Sequence, residues 1–233
     1  MKKIAAALLL LVALIGGALF WLSGNIDGLL KDAIETYGSA MTQAKVSVGA
    51  VKIAPADGKG TISHLAIANP AGFKTTHALK VARSDIDIDI ASVAKDVMLI
   101  RNITVLAPDV IYEKGEAMTN FDAIQKNIAA YLGPGDRNKE QRKLIVEQLS
   151  IRDAKAQASA AFMAGKTVSV PLPDITLKNL GRAKGGITPG ELGQEVAGAL
   201  KAKLTGAVSF DRLMKSAGEA LDKAGSAIKG LFK

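Results

Sequence analysis

Asp85, Asp87 and Asp89 are the residues of this chain whose type and spacing first suggest chemistry. Carboxylates are the ligands calcium prefers. On one extended strand, however, alternate side chains lie ~6.8 Å apart, too far for all three to grip one ion. The trio reads instead as the solvated face of a strand. His64 and His77 are the only histidines and there is no cysteine, which leaves no metal-ligand spacing and no thiol nucleophile. Gly58-Lys59-Gly60-Thr61 lacks the upstream glycine of a phosphate loop and carries glycine after the lysine. Asn102-Ile103-Thr104 is a glycosylation sequon, but it falls inside a predicted strand, and no serine sits in a nucleophile elbow. The residues supply no catalytic set, no metal site and no cofactor signature; the expectation is a protein that is not an enzyme.

The other side of the aspartate strand is more informative. Ser84–Ile90 alternates with period two, so Ile86, Ile88 and Ile90 share the face opposite the carboxylates. Comparable pairs occur at Val46 and Val48, Leu65 and Ile67, Ile103 and Val105, Leu149 and Ile151, and Ile175 and Leu177. Together they could line a groove for acyl chains, each buried methylene contributing ~0.8 kcal/mol. The competing reading is an ordinary core closed by a helix.

These residues need a sheet and helices to place them. Asn25–Gln43 has helical spacing at Ile26, Leu29, Leu30, Ala33, Ile34 and Tyr37. Residues 45–112 read as strands, residues 120–132 as an amphipathic helix with Phe121, Ile124, Ile128 and Tyr131 on one face, and residues 133–140 as a polar connector. Strands resume over 144–160 and 167–180. Thr188 and Pro189 then open a helix as N-cap and first helical residue, and helical patterning runs on, broken near 206–210, to the C-terminus. Several strands change phase partway, as between Leu144/Val146 and Leu149, and between Leu172 and Ile175. A phase change requires a bulge or bend, for which Gly49 and Pro173 are candidates. The last segment combines an apolar stripe, from Phe210 to Phe232, with seven basic and three acidic residues between Lys201 and Lys233. Such a helix suits an anionic membrane surface, with Lys201, Lys203, Arg212 and Lys215 facing headgroups, or else packs its stripe on the domain.

Charge and hydropathy fix the setting. Of 233 residues only 4% are aromatic and the formal charge is +8. No basic–aromatic interleaving or zinc-finger spacing accompanies that charge, which argues against nucleic acid and for anionic lipid. Ile4–Leu22 is uncharged and mostly apolar behind Lys2 and Lys3. At ~20 residues it is long enough to span a bilayer, with its N-terminus held inside by the lysines. The rival is a cleaved signal peptide, but no small-x-small pair follows the run, and Trp21 suits a membrane interface.

Gly60-Thr61-Ile62-Ser63-His64-Leu65-Ala66-Ile67-Ala68-Asn69-Pro70-Ala71-Gly72-Phe73, Leu149–Ala154 and Val170–Ile175, together with the anchor-plus-helix start, resemble the AsmA-like exported bacterial proteins. The resemblance covers roughly residues 1–200 and rests on strand signatures. It implies a single-pass inner-membrane protein with the bulk of its chain in the periplasm. It also implies likeness to chorein-type bridge proteins, whose curled sheets form an apolar groove for phospholipid. The fold expected is α+β: a transmembrane anchor (1–24), a stalk helix (25–43), a curled antiparallel β domain (44–185) with an inserted helix (120–132), and a C-terminal helical segment (186–233). About six strands at ~4.8 Å each give a groove only ~30 Å long, so transport calls for an envelope protein partner, a homo-oligomer or a shuttle step. The alternative is a non-enzymatic assembly protein with a closed core that docks a partner.

Overall fold

The computed structural model of the protein describes residues 26–133, 143–212 and 214–215. The predicted span at 4–22, nearly all of the connector and most of the C-terminal stripe lie outside the described residues, among which no helix is long and apolar enough to cross a membrane. The class is α+β. In chain order the elements are α1 (Ile26–Thr42), β1 (Val46–Ser47), β2 (Ala50–Ala54), β3 (Lys59–Ile67), β4 (Leu79–Ile88), β5 (Val97–Leu106), β6 (Asp109–Lys114), α2 (Asn120–Leu132), β7 (Lys143–Arg152), β8 (Lys155–Ala160), β9 (Val168–Val170), β10 (Ile175–Leu180) and α3 (Pro189–Ala207).

The ten segments form one open sheet, and their registers fuse them into six long strands. β1 and β2 keep a single register on β3, with Ser47 opposite Ala66 and Ala50 opposite Ser63. β5 and β6 do the same on β4, through Arg83–Leu106 and Lys80–Asp109. β7 and β8 follow β5 and β6 through Leu106–Arg152 and Asp109–Lys155, and β10 and β9 follow them through Ile151–Ile175 and Ala156–Val170. The long strands therefore lie side by side in chain order. The sheet is mixed, not antiparallel as the sequence suggested, because β7–β8 runs parallel to β5–β6. Parallel neighbours need a crossover connection. The segment holding α2 supplies it, a role that the helix's periodicity alone does not reveal.

Continuing each register into the gaps places Gly49, His64, Ala82, Ala107, Asp153 and Pro173 in one row across the sheet. His64, Ala107 and Asp153 adopt φ of 54°, 46° and 55°. At Gly49 an added Cβ would come within 2.9 Å of His64 Cβ. On every strand the inward residues step by three at this row instead of two: Val48 to Val51, Ile62 to Leu65, Val81 to Ser84, Val105 to Pro108, Ile151 to Ala154 and Leu172 to Ile175. A three-residue step spaces inward side chains by ~10 Å rather than ~6.8 Å. The crease thus removes one row of side chains from the inner face and leaves a hollow there.

Three helices roof the hollow. α1 runs along the β1–β2 edge, and three of its side chains take the edge's free N–H groups: Asp27 accepts from Ile53 N (3.0 Å), Glu35 from Val48 N (2.7 Å) and Ser39 from Val46 N (2.9 Å). Their four- and eight-residue spacing puts them on one helix face, and the contact covers a strand edge that would otherwise recruit other chains. α2 and α3 each begin with a reciprocal capping box, Thr119 with Asp122 and Thr188 with Glu191, and Pro189 fills the first turn of α3 as expected. α2 packs against both α1 and α3; α1 and α3 have no comparable contact with each other.

Candidate functional site

Between the crease and the roof lies a cavity of about 440 Å³. Its floor comes from residues flanking the crease, including Ile62, Leu65, Val81, Ser84, Val105 and Ile151. Its roof comes from Ile34 and Met41 of α1, Phe121, Ile124 and Ile128 of α2, and Leu192, Val196 and Leu200 of α3. Among the described residues, Thr42 and Ser84 are the only polar side chains in the lining. Thr42 donates its hydroxyl proton to Gly38 O at 2.7 Å. Ser84 is only 7% exposed, and its Oγ has no hydrogen-bond partner among the described residues; it opens onto the cavity. Volumes of roughly 300–1,000 Å³ are typical of ligand sites.

Of the groove residues read from sequence, Leu65, Ile67, Val105, Leu149 and Ile151 line this cavity. Ile175 is buried in the same apolar core, and Ile86, Ile88, Ile103 and Leu177 pack half-buried against it, away from the cavity wall. Val46 and Val48 lie under α1, Val48 in a cluster with Leu30 and Val51. Ile90 departs from the expectation of a shared face: β4 ends at Ile88, Asp89 caps a 3₁₀ turn by accepting from Ala91 N, and Ile90 is 43% exposed. Ser84 and the α3 residues were not among the expected lining. The signal that finds Ser84 is the three-residue phase step, and the sequence shows that step only once neighbouring strands are in register.

The polar candidates have structural partners. Asp85 sits 2.9 Å from Arg83, whose guanidinium, with help from Thr61, holds the carboxyl below its usual range. Asp87 and Asp89 share Arg101, each at 3.1 Å. Among the described residues no three His, Asp or Glu side chains are placed to hold one metal ion. His64 lies exposed on the crease, whereas His77 is buried with Nε2 3.2 Å from Asp109 Oδ2, off the line of a hydrogen bond, and Nδ1 2.8 Å from Thr76 Oγ1. Burial pushes His77 below the usual imidazole range, against the pull of Asp109. Lys201, expected at a membrane surface, places its ammonium 2.5 Å from Asp122 and joins α3 to α2. Burial alone would raise Asp122, but its bonds to Lys201 and Thr119 outweigh this and lower it. Lys203, Arg212 and Lys215 are exposed. Phe210, from the C-terminal stripe, packs on Tyr112 with ring centroids 5.4 Å apart.

A buried polar cluster was not foreseen. Glu113, 1% exposed, accepts from Lys74 N (2.8 Å), Thr75 N (2.8 Å) and Thr75 Oγ1 (2.6 Å), and Asn120, fully buried, links Asn69 to the Ile111 carbonyl. Every bond in it is internal, so it ties the loop before β4 to β6 and α2. No protein-family model matches the chain, and no curated protein does.

Proposed function

We propose that the protein holds a lipid or another apolar ligand in the cavity between its creased sheet and the helices that cover it, and performs no covalent chemistry. The observation that carries this reading is the cavity: about 440 Å³, with two polar side chains among the described residues of its lining. Apolar side chains lining such a space are favourably removed from water by an apolar occupant. An acyl chain occupying it recovers ~0.8 kcal/mol per methylene before association costs. The apolar run at 4–22 and the AsmA-like strand signatures support a setting in the bacterial inner membrane, N-terminus inside, with the domain in the periplasm and a part in envelope lipid traffic or homeostasis. Exposed Lys203, Arg212 and Lys215 are suited to anionic headgroups.

The test uses the full chain in its own membrane. A photo-crosslinking side chain replaces Leu192 in the roof or, as control, Phe162, which is 48% exposed on the outside. After irradiation in cells, intact mass should show lipid adducts at position 192 and none at 162. Protein adducts or none at 192 would favour the closed-core docking protein instead.

A further inference from the structure

We infer, resting on the cavity reading above, that the ligand is a single-chain lipid with a neutral oxygen, an ester carbonyl or a hydroxyl, that pairs with Ser84. Two observations meet here. The first is size. An engineered cavity of about 150 Å³ accepts the six carbons of benzene. By that scale the 440 Å³ here admits about eighteen carbons, one long acyl chain and not two. The second is the hydroxyl of Ser84. It stands on the central strand β4, between Ile62 of β3 and Val105 of β5, both cavity residues. The residue is over nine-tenths buried, and its Oγ, without a partner among the described residues, faces the cavity, whereas Glu113 and Asn120 are bonded internally. An oxygen on a bound chain that displaces water from this hydroxyl must replace the hydrogen bond it removes. The partner is uncharged, because among the described residues no cation lines the cavity to offset a carboxylate there.

The register explains why the residue is serine. Ser84 is the inward residue next to the crease, where the phase step has already thinned the wall, and a side chain as large as leucine or phenylalanine would fill the space the crease creates. Its hydroxyl marks the depth at which the chain's oxygen rests.

Native mass spectrometry of the full-length chain, released from detergent, tests this with monoacylglycerol, diacylglycerol and hexadecane as probes. One monoacylglycerol should bind per chain, and diacylglycerol at least tenfold more weakly. Ser84→Ala should weaken monoacylglycerol roughly three- to tenfold and leave hexadecane unchanged, the loss expected for one hydrogen bond. Ser84→Thr, which keeps the hydroxyl, should retain most of the binding. Equal affinity for the one- and two-chain lipids overturns the size argument, and equal loss of hexadecane on Ser84→Ala overturns the role of the oxygen; both leave the apolar site standing. Failure of all three probes to bind a folded chain removes the lipid reading itself.

Discussion

Two buried residues give separate readouts of how the domain is held. Glu113 accepts three hydrogen bonds from the loop residues Lys74 and Thr75. Glu113→Ala leaves buried donors unmet and should cost about 3 kcal/mol, measured by urea unfolding; a cost below ~1 kcal/mol would mean that water replaces the carboxylate. His77 gives a pH readout. Its imidazole is held below the ordinary value of 6.5, by burial first and by Lys80 second, with Asp109 opposing. Above that value both the folded and unfolded chains carry it neutral, and stability is at its full level. Below it the unfolded chain takes up a proton that the native site resists, so stability falls as pH drops towards the lowered folded value. The lowered carboxyls of Glu35, Asp85 and Asp122 add an acid loss of their own, but only at and below their ordinary values of 4.5 and 3.8. His77→Gln should therefore flatten the unfolding free energy between pH 6.5 and 5 and leave the steeper fall below pH 4.5 intact. A slope unchanged by the substitution would assign it to another group.

Among the elements, the crease is what turns a plain six-strand sheet into a container. Three of its residues pay for left-handed backbone. For an alanine that strain is about 1–2 kcal/mol, which glycine escapes at some cost in chain entropy. Ala107, exposed and at φ 46°, gives the cleanest test. Ala107→Gly should raise the melting temperature by a few degrees, and Ala107→Val should lower it by more; the opposite order would mean that the crease is not held at this residue. Half of the crease was legible in the sequence. Gly49 between Val48 and Val51, and Pro173 between Leu172 and Ile175, break the alternation with residue types known for bends. His64, Ala107 and Asp153 have no such signature, because their conformation is imposed by neighbours already bent at the same level. The helices were the easiest elements to read: α2 begins and ends where the periodicity places it, and Thr188 and Pro189 fix the start of α3. The parallel pairing was not legible, since periodicity reports which face a strand buries and says nothing of its direction. The same limit explains the site: alternation identified Leu149 and Ile151 as inward-facing, but only register shows that Ser84 stands beside Ile62 and Val105.

For the whole molecule, the roof decides what kind of lipid handling is physically open to it. An open groove of six strands would be only ~30 Å across, and here three helices cover its floor instead of leaving a continuous track. A roofed cavity for one chain suits a carrier that loads, closes and hands on, and a bridge would need copies joined end to end. The gap through which a ligand passes is set by helix contacts: α2 is packed against both other helices, while α1 and α3 have little contact with each other. Opening therefore costs least between α1 and α3. The chain has no cysteine, so an introduced pair is the only thiol pair present. Ile34→Cys in α1 with Leu192→Cys in α3, both on the cavity wall, joined by a short bis-maleimide, should slow exchange of a bound fluorescent monoacyl lipid at least tenfold. Each single cysteine, capped with the same reagent, should leave exchange near the unmodified rate. If the joined protein exchanges its lipid as fast as the singly capped ones, the gap between α1 and α3 is not the entrance, and the ligand must enter past an edge of the sheet.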